Sequence, residues 1–255
     1  MAGSLFGGGC GTAEPPGDDG QAVLTIEQAL ATKPDNMLKV RGAVVATGSD
    51  VVLASALLES YPPQAGGPIL PLKGLDLDSL VGLSSTAAQP DLAQVMWSEY
   101  WLTLEGTIED GVLQVERVPR VVEESFEGMR IRFSPVSEPV VAGGAVWWAF
   151  DVKNVGSAPM DLIFTSGQRG EVILAQDGVD KYRWSAGKFF TEAIETVALE
   201  PGKALSVAIN DVPDVAPGDY ELRASVTASV GPSGTGGSGG PGQALPELTT
   251  SIRVY

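Results

Sequence analysis

The stretch that decides the fold runs from Phe164 to Gly202. It reads Phe164-Thr-Ser-Gly-Gln168, then Asp177-Gly178, then Tyr182-Arg-Trp-Ser-Ala-Gly-Lys-Phe-Phe-Thr191, then Leu199-Glu-Pro-Gly202. Between these clusters apolar residues alternate: Val172 with Leu174, and Tyr182 with Trp184. Short alternating runs separated by turn residues read as β-strands. The period continues outward on both sides. Ile131 and Phe133 alternate with Arg130 and Arg132, and Val146, Trp148, Phe150 and Val152 alternate with Trp147, Ala149, Asp151 and Lys153. A turn at Asn154–Pro159 leads to Met160, Leu162 and Phe164. Leu205, Val207 and Ile209, then Tyr220, Leu222, Ala224 and Val226, then Ile252 and Val254 complete the series. Strands this short and regular predict a β-sandwich over residues 128–255. Gly231–Gly242 is low in complexity and reads as an entropic loop between two strands that can pair as a hairpin.

The elements Ser166-Gly-Gln168, Trp184-Ser-x-Gly-Lys-x-Phe190 and Glu200-Pro-Gly202 stand in an order and spacing that resemble the intracellular proteinase inhibitor (BsuPI) family, over about Gly128–Thr227. Where that family carries an aromatic and an Asp soon after Ser-Gly-Gln, this chain has Gly170-Glu171. The resemblance implies an immunoglobulin-like sandwich and a role against serine proteases of the subtilisin type. A shared fold does not establish a shared function, so the site must carry that argument.

The N-terminal half is also β in character. Thr25-x-x-Gln28 is a capping-box pattern that predicts a short helix through Leu30. Leu38, Val40, Gly42 and Val44 share one strand face, with Met37, Lys39 and Arg41 on the other, and Val51–Leu53 follows. Residues 61–90 are rich in Pro, Gly and Ser and predict long loops. Leu102, Leu104, Gly106 and Ile108 alternate with Trp101, Thr103, Glu105 and Thr107, and Asp110-Gly111 predicts a hairpin turn into Val112–Val115. The helix-like Thr25–Leu30, the Val40-Arg-Gly-Ala-Val44 strand and this hairpin resemble a small bacterial OB-fold, a five-stranded barrel, over 22–117. The whole chain is thus expected to be all-β: a tether (1–21), an OB-like barrel (22–117), a linker (118–127) and the sandwich (128–255).

Composition narrows the functions. The chain of 255 residues is 44% hydrophobic and 19% charged, with net charge −16 and a pI near 4.3. The barrel segment holds Lys33, Lys39, Arg41, Lys73 and Arg117 against twelve Asp and Glu residues. That balance argues against a nucleic-acid partner, which needs clustered cations. There is no His, which removes the commonest general base and metal ligand, and a single Cys, which excludes an intramolecular disulfide. No cofactor or metal is expected. Cys10, within Leu5-Phe-Gly-Gly-Gly-Cys-Gly-Thr12, resembles the lipidated Cys of a bacterial lipoprotein signal, followed by an acidic tether. That places the protein outside the cytoplasm, anchored by lipid; a free thiol on a cytoplasmic protein is the alternative.

Two segments are the candidate protein-binding surface. The first is Trp184, Lys188, Phe189 and Phe190, because adjacent aromatics on an extended chain face opposite sides and one is left for a partner. The second is Ser166, Gly167, Gln168 and Arg169, whose polar side chains can bond a partner's main chain. Core packing for Trp184 and a self-satisfied turn for Ser166–Arg169 are the competing readings. Ser185-Ala-Gly-Lys188 fits a Ser-x-x-Lys nucleophile motif, Gly234–Gly239 fits Gly-x-Gly-x-x-Gly, and Asp76-x-Asp78 could open a calcium loop, but each lacks its companion elements. The sequence is expected to encode a non-enzymatic protein-binding module that inhibits a subtilisin-type protease through sandwich loops. The alternative is an envelope accessory protein that binds glycan or peptide through the N-terminal half, where Tyr61, Trp97, Tyr100 and Trp101 supply aromatics.

Overall fold

A computed structural model describes residues 21–32, 36–87, 89, 91–233 and 242–255. Cys10, Lys33 and residues 234–241 of the Gly-rich loop lie outside the described residues. The chain is almost wholly β. The N-terminal half contains β1 (Val23–Leu24), α1 (Ile26–Ala31), β2 (Leu38–Thr47), β3 (Asp50–Leu58), β4 (Gln64–Lys73), a 3-10 turn (Leu77–Ser79), β5 (Leu83–Ser85), β6 (Val95–Ser98), β7 (Leu102–Glu109) and β8 (Val112–Arg117). The capping box forms as the sequence predicts: Thr25 Oγ1 accepts from the Gln28 amide, and Gln28 Oε1 accepts from the Thr25 amide at 2.8 Å.

The strands pair in the order β3–β4–β8–β7–β2–β6–β5, with a further pairing of β2 to β3 and a parallel contact between β4 and β8. Strand β2 is shared along its length: residues 38–42 pair with β7, residues 43–47 with β3, and residues 45–47 also with β6. Gly42 stands at the changeover. A Cβ there would lie 2.6 Å from Leu53 Cγ and 2.9 Å from the Ala54 carbonyl oxygen, so only glycine lets β3 approach so closely.

Two expectations are corrected here. Residues 61–90 are not chiefly loop, since the ten-residue β4 lies among them. Its Pro68 falls in the irregularity where the register with β3 shifts, between Ile69 and Gly66, and Pro71 falls before the pairing to β8 begins at Leu72, places where a strand tolerates a missing amide. Within the segment read as a linker, Val122–Phe126 is a strand, β9, paired to the next one. The polar face of β2 is not solvated: Lys39 is buried beside Glu105, and Arg41 Nη2 donates to the Ser137 carbonyl at 2.9 Å.

The C-terminal half continues with β10 (Met129–Ser134), β11 (Val146–Asn154), β12 (Met160–Phe164), β13 (Gly170–Gln176), β14 (Val179–Arg183), β15 (Glu195–Leu199), β16 (Ala204–Asp211), β17 (Gly218–Val226), β18 (Ala228–Pro232), β19 (Gln243–Ala244) and β20 (Leu248–Val254). One sheet has the order β16–β11–β10–β9. Facing it are β14–β13–β17–β20 and β15–β12–β18–β19, both antiparallel. The pairing of β18 with β19 forms the hairpin expected around the Gly-rich loop. Side chains of alternate residues meet between the layers: Ile131 and Phe133, Trp148 and Phe150, Leu162 and Phe164, Val172 and Leu174, Leu222 and Ile252, all buried. This is a β-sandwich, and the alternation read from the sequence is its core.

The two halves share apolar surface. Val136 and Ala149 belong to the buried cluster of the N-terminal half, with Trp147 and Ala208 packed against it. Arg132 ties the halves together. Its Nε and Nη2 engage Asp151, while Nη1 and Nη2 donate to the carbonyls of Asp78 and Leu80 at 2.6 and 3.0 Å. The Arg132 and Asp151 side chains are only 12% and 7% exposed, so removing one leaves the other charge unpaired in a poor solvent for it. Arg132→Met is expected to lower stability by about 3–5 kcal/mol in urea unfolding. The double variant Arg132→Met, Asp151→Leu should recover much of that loss.

Candidate functional site

The site grows out of an interruption in a strand ladder. Strands β17 and β18 run on from one another, broken only at Thr227, and β12 and β13 pair along them. Phe164 stands opposite Ala228 and Gly170 opposite Val226, so residues 165–169 form an excursion opposite one residue. Thr227 closes it at its base: its amide donates to the Arg169 carbonyl at 3.1 Å and its hydroxyl to the Gln168 carbonyl at 2.7 Å.

Within the excursion, Ser166 Oγ accepts from the Gln168 amide at 3.2 Å, and Gln168 Nε2 donates to the Gly170 carbonyl at 3.1 Å. The guanidinium of Arg169 lies 4.1 Å over the Phe164 ring and pairs with Glu195. Ser166, Gln168 and Arg169 therefore hold the turn itself. Gly167 reaches the segment that follows β14, its amide donating 2.8 Å to the Thr191 carbonyl. A Cβ at Gly167 would lie 2.6 Å from Thr191 Oγ1, so the glycine permits this contact.

The structure thus joins the two candidate segments. After β14 the chain turns at Ser185–Gly187 and runs on through residues 188–194 outside any strand or helix before entering β15. Trp184 Nε1 donates to the Asn210 carbonyl at 3.1 Å, and its ring lies 5.7 Å from that of Phe190. Lys188 Nζ sits 4.8 Å over the Trp184 ring and 2.7 Å from Asp211 Oδ2. Tyr182 donates to the same oxygen at 3.1 Å and packs against buried Trp148. A continuous chain of contacts leads from the core at Trp148 to Phe190. Phe189 points the other way and is 100% exposed, and Ile194 is 78% exposed. The adjacent aromatics thus divide, Phe190 onto Trp184 and Phe189 into solvent.

Glu171 locks the arrangement, and the sequence reading passed over it as a departure from a family pattern. It is buried, and its carboxylate accepts from the amides of Val172 and Ser185, each at 3.1 Å, from the Ser185 hydroxyl, and from Gln168 Nε2 at 3.3 Å. Arg183 balances its charge at 3.5 Å. Ser185 and Lys188 are thereby committed to different carboxylates, Glu171 and Asp211, rather than to one another. Asp76 Oδ1 accepts from the Asp78 amide and caps the 3-10 turn. In the N-terminal half, Tyr100 and Trp97 are buried in packing, and Trp101 Nε1 donates to the Ser55 carbonyl at 3.3 Å; Tyr61 stays exposed.

Electrostatics reinforce the clamp. Burial would raise the Asp211 carboxyl, but the Lys188 ammonium, the Val212 amide and the Tyr182 hydroxyl outweigh it and hold the group below its ordinary value of 3.8. Burial, and then the Asp211 charge, push the Tyr182 hydroxyl well above its usual range, so it remains a donor.

The arrangement defines a β-sandwich that presents one exposed aromatic on a braced, extended segment. Comparison with known proteins agrees: residues 137–230 match the model of the intracellular proteinase inhibitor family, BsuPI. No curated protein matches. Among solved structures the chain is similar to the CARDB domain of a Pyrococcus furiosus protein in complex with di-metal ions, at 17% identity and a TM-score of 0.27, covering 55% of this chain and 90% of that one. It is also similar to a β-glucosidase from Erythrobacter marinus, at 14% identity and a TM-score of 0.25, and spans 54% of this chain but only 16% of that enzyme.

Two outcomes check the clamp. Glu171→Ala leaves the donors of Ser185 and Gln168 without their acceptor and should cost about 1–3 kcal/mol. Amide exchange at Ser185 and Gly167 should quicken in the same variant. The stabilisation from Asp211 is present above its ordinary value and is lost as pH falls through its lowered one. Asp211→Asn should therefore flatten that part of the acid limb in pH-dependent unfolding.

Proposed function

We propose that the protein inhibits a serine protease of the subtilisin type, with residues 188–194 as the contact segment and Phe189 as the anchor. The carrying observation is that Phe189 is fully exposed while both sides of its segment are pinned, by Lys188 to Asp211 and by Thr191 to Gly167. A large aromatic left in water is unfavourable for the free protein and valuable to a binding protein. Bracing the segment removes part of the ordering cost of association. The family match over residues 137–230, which contains this segment, supports a protease as the partner. Ser166, Gln168 and Arg169 act as braces in this reading and not as contacts.

The N-terminal half serves as a companion module. Its pairings lead from β2 through β3, β4, β8 and β7 back to β2, which supports the OB-like five-stranded barrel expected from the sequence.

The test is titration of the full chain against a subtilisin-type protease, following residual activity. Stoichiometric loss is expected. Phe189→Ala should weaken inhibition by about 30-fold or more, the range of an interface hot spot. Val179→Ala, which removes an exposed apolar side chain from β14, should leave it unchanged. No loss at micromolar chain, or equal inhibition by Phe189→Ala, Ile194→Ala and the parent, would overturn the reading.

A further inference from the structure

A second concave site lies where the two halves meet. It is a cavity of about 580 Å³, open to solvent, with Tyr61, Trp97, Ser84 and Glu99 on the N-terminal side and Arg130 and Lys153 on the sandwich side. That volume suits a small ligand.

Its cations are the informative part. Arg130 on β10 and Lys153 on β11 are direct cross-strand partners. Like charges placed opposite one another destabilise a sheet. The next pair along the same face, Arg132 with Asp151, obeys the usual rule and forms an ion pair. Arg132 has its donors committed to Asp151, Asp78 and Leu80. Among the described residues Arg130 has only Glu123, at 3.9 Å, too long for a hydrogen bond, and its buried Nε has no hydrogen-bond acceptor. Lys153 has no ion-pair partner among the described residues. Two underpaired cations side by side are unexpected in a chain with 32 acidic and 16 basic residues, where carboxylates are plentiful. An anion held between them removes the repulsion.

The opposite wall specifies more than an anion. Tyr61 is 61% exposed, yet its ring is steadied edge-on against buried Trp97 at 6.0 Å. It offers an apolar surface for a ring. Glu99, already accepting from the Ser84 hydroxyl at 3.0 Å, can take hydroxyl donors. Cations, an aromatic and hydroxyl-binding groups around one cavity match a sugar ring that bears a carboxylate. We propose that this cleft binds an acidic saccharide of the uronic-acid kind, with the carboxylate between Arg130 and Lys153 and the ring against Tyr61. This site is independent of the contact segment at 188–194.

Calorimetric titration of the full chain tests it with three probes: glucuronate, glucose and inorganic phosphate. Glucuronate should bind, and glucose, lacking the charge, should bind about tenfold or more weakly. Phosphate, lacking the ring, should also bind less well than glucuronate. Lys153→Met and Tyr61→Ala, both partly solvent-facing changes, should each weaken glucuronate about fivefold or more without altering the unfolding midpoint. Absence of glucuronate binding at millimolar concentration would overturn the proposal. So would equal affinity for glucose, which denies the cation role, or equal affinity for phosphate with no effect of Tyr61→Ala, which reduces the site to a bare anion contact.

Discussion

The buried carboxylate of Glu171 is the constraint on which the presentation of the site depends. It is the second residue of strand β13, inside the ladder, and gathers donors from the excursion before it, from its own neighbour Val172 and from the turn after β14. In a low-dielectric interior such bonds gain strength together, and each donor left over would carry a desolvation penalty. One side chain thus fixes the relation between two segments that are distant in sequence. Phe189 can be wholly exposed because its segment need not bury it to stay ordered.

The second organising feature is the covered outer face of the sheet β16–β11–β10–β9. An antiparallel sheet commonly leaves one face to water. Here Ala149 enters the buried cluster of the N-terminal half, and Arg132 spends its donors on carbonyls of that half. The Ser206 hydroxyl adds a bond to the Leu83 carbonyl at 3.0 Å, and the Thr103 amide one to Val136 at 3.0 Å. The halves therefore meet through specific hydrogen bonds as well as apolar contact, and the cleft with Arg130 and Lys153 lies at the rim of that junction.

Much of this was legible in the sequence because it is periodic. The alternation of Trp148, Phe150 and Val152, the capping box at Thr25 and Gln28, and the Asp110-Gly111 turn are local patterns with local causes. Exposure of one member of the Phe189–Phe190 pair was expected from strand alternation, although residues 188–194 form no strand. What escaped was non-local. Glu171, Asp211 and Thr227 act through partners roughly a dozen to sixty residues away, and no spacing rule marks them. Strand β4 was hidden because its prolines and Gly66-Gly67 look like loop until the register shift that accommodates Pro68 is known. Arg169 looked like a hand extended to a partner, whereas Phe164 and Glu195 occupy it.

The excursion at residues 165–169 has an engineering consequence. Since it faces the single residue Thr227, its length is decoupled from the register of the strands on either side. Residues added or removed there leave Phe164 opposite Ala228 and Gly170 opposite Val226. Gly167, at its tip, sets where Thr191 rests. The excursion is thus an adjustable spacer: variation in its length would shift the standing height of the 188–194 segment while the hydrophobic interior stays as it is.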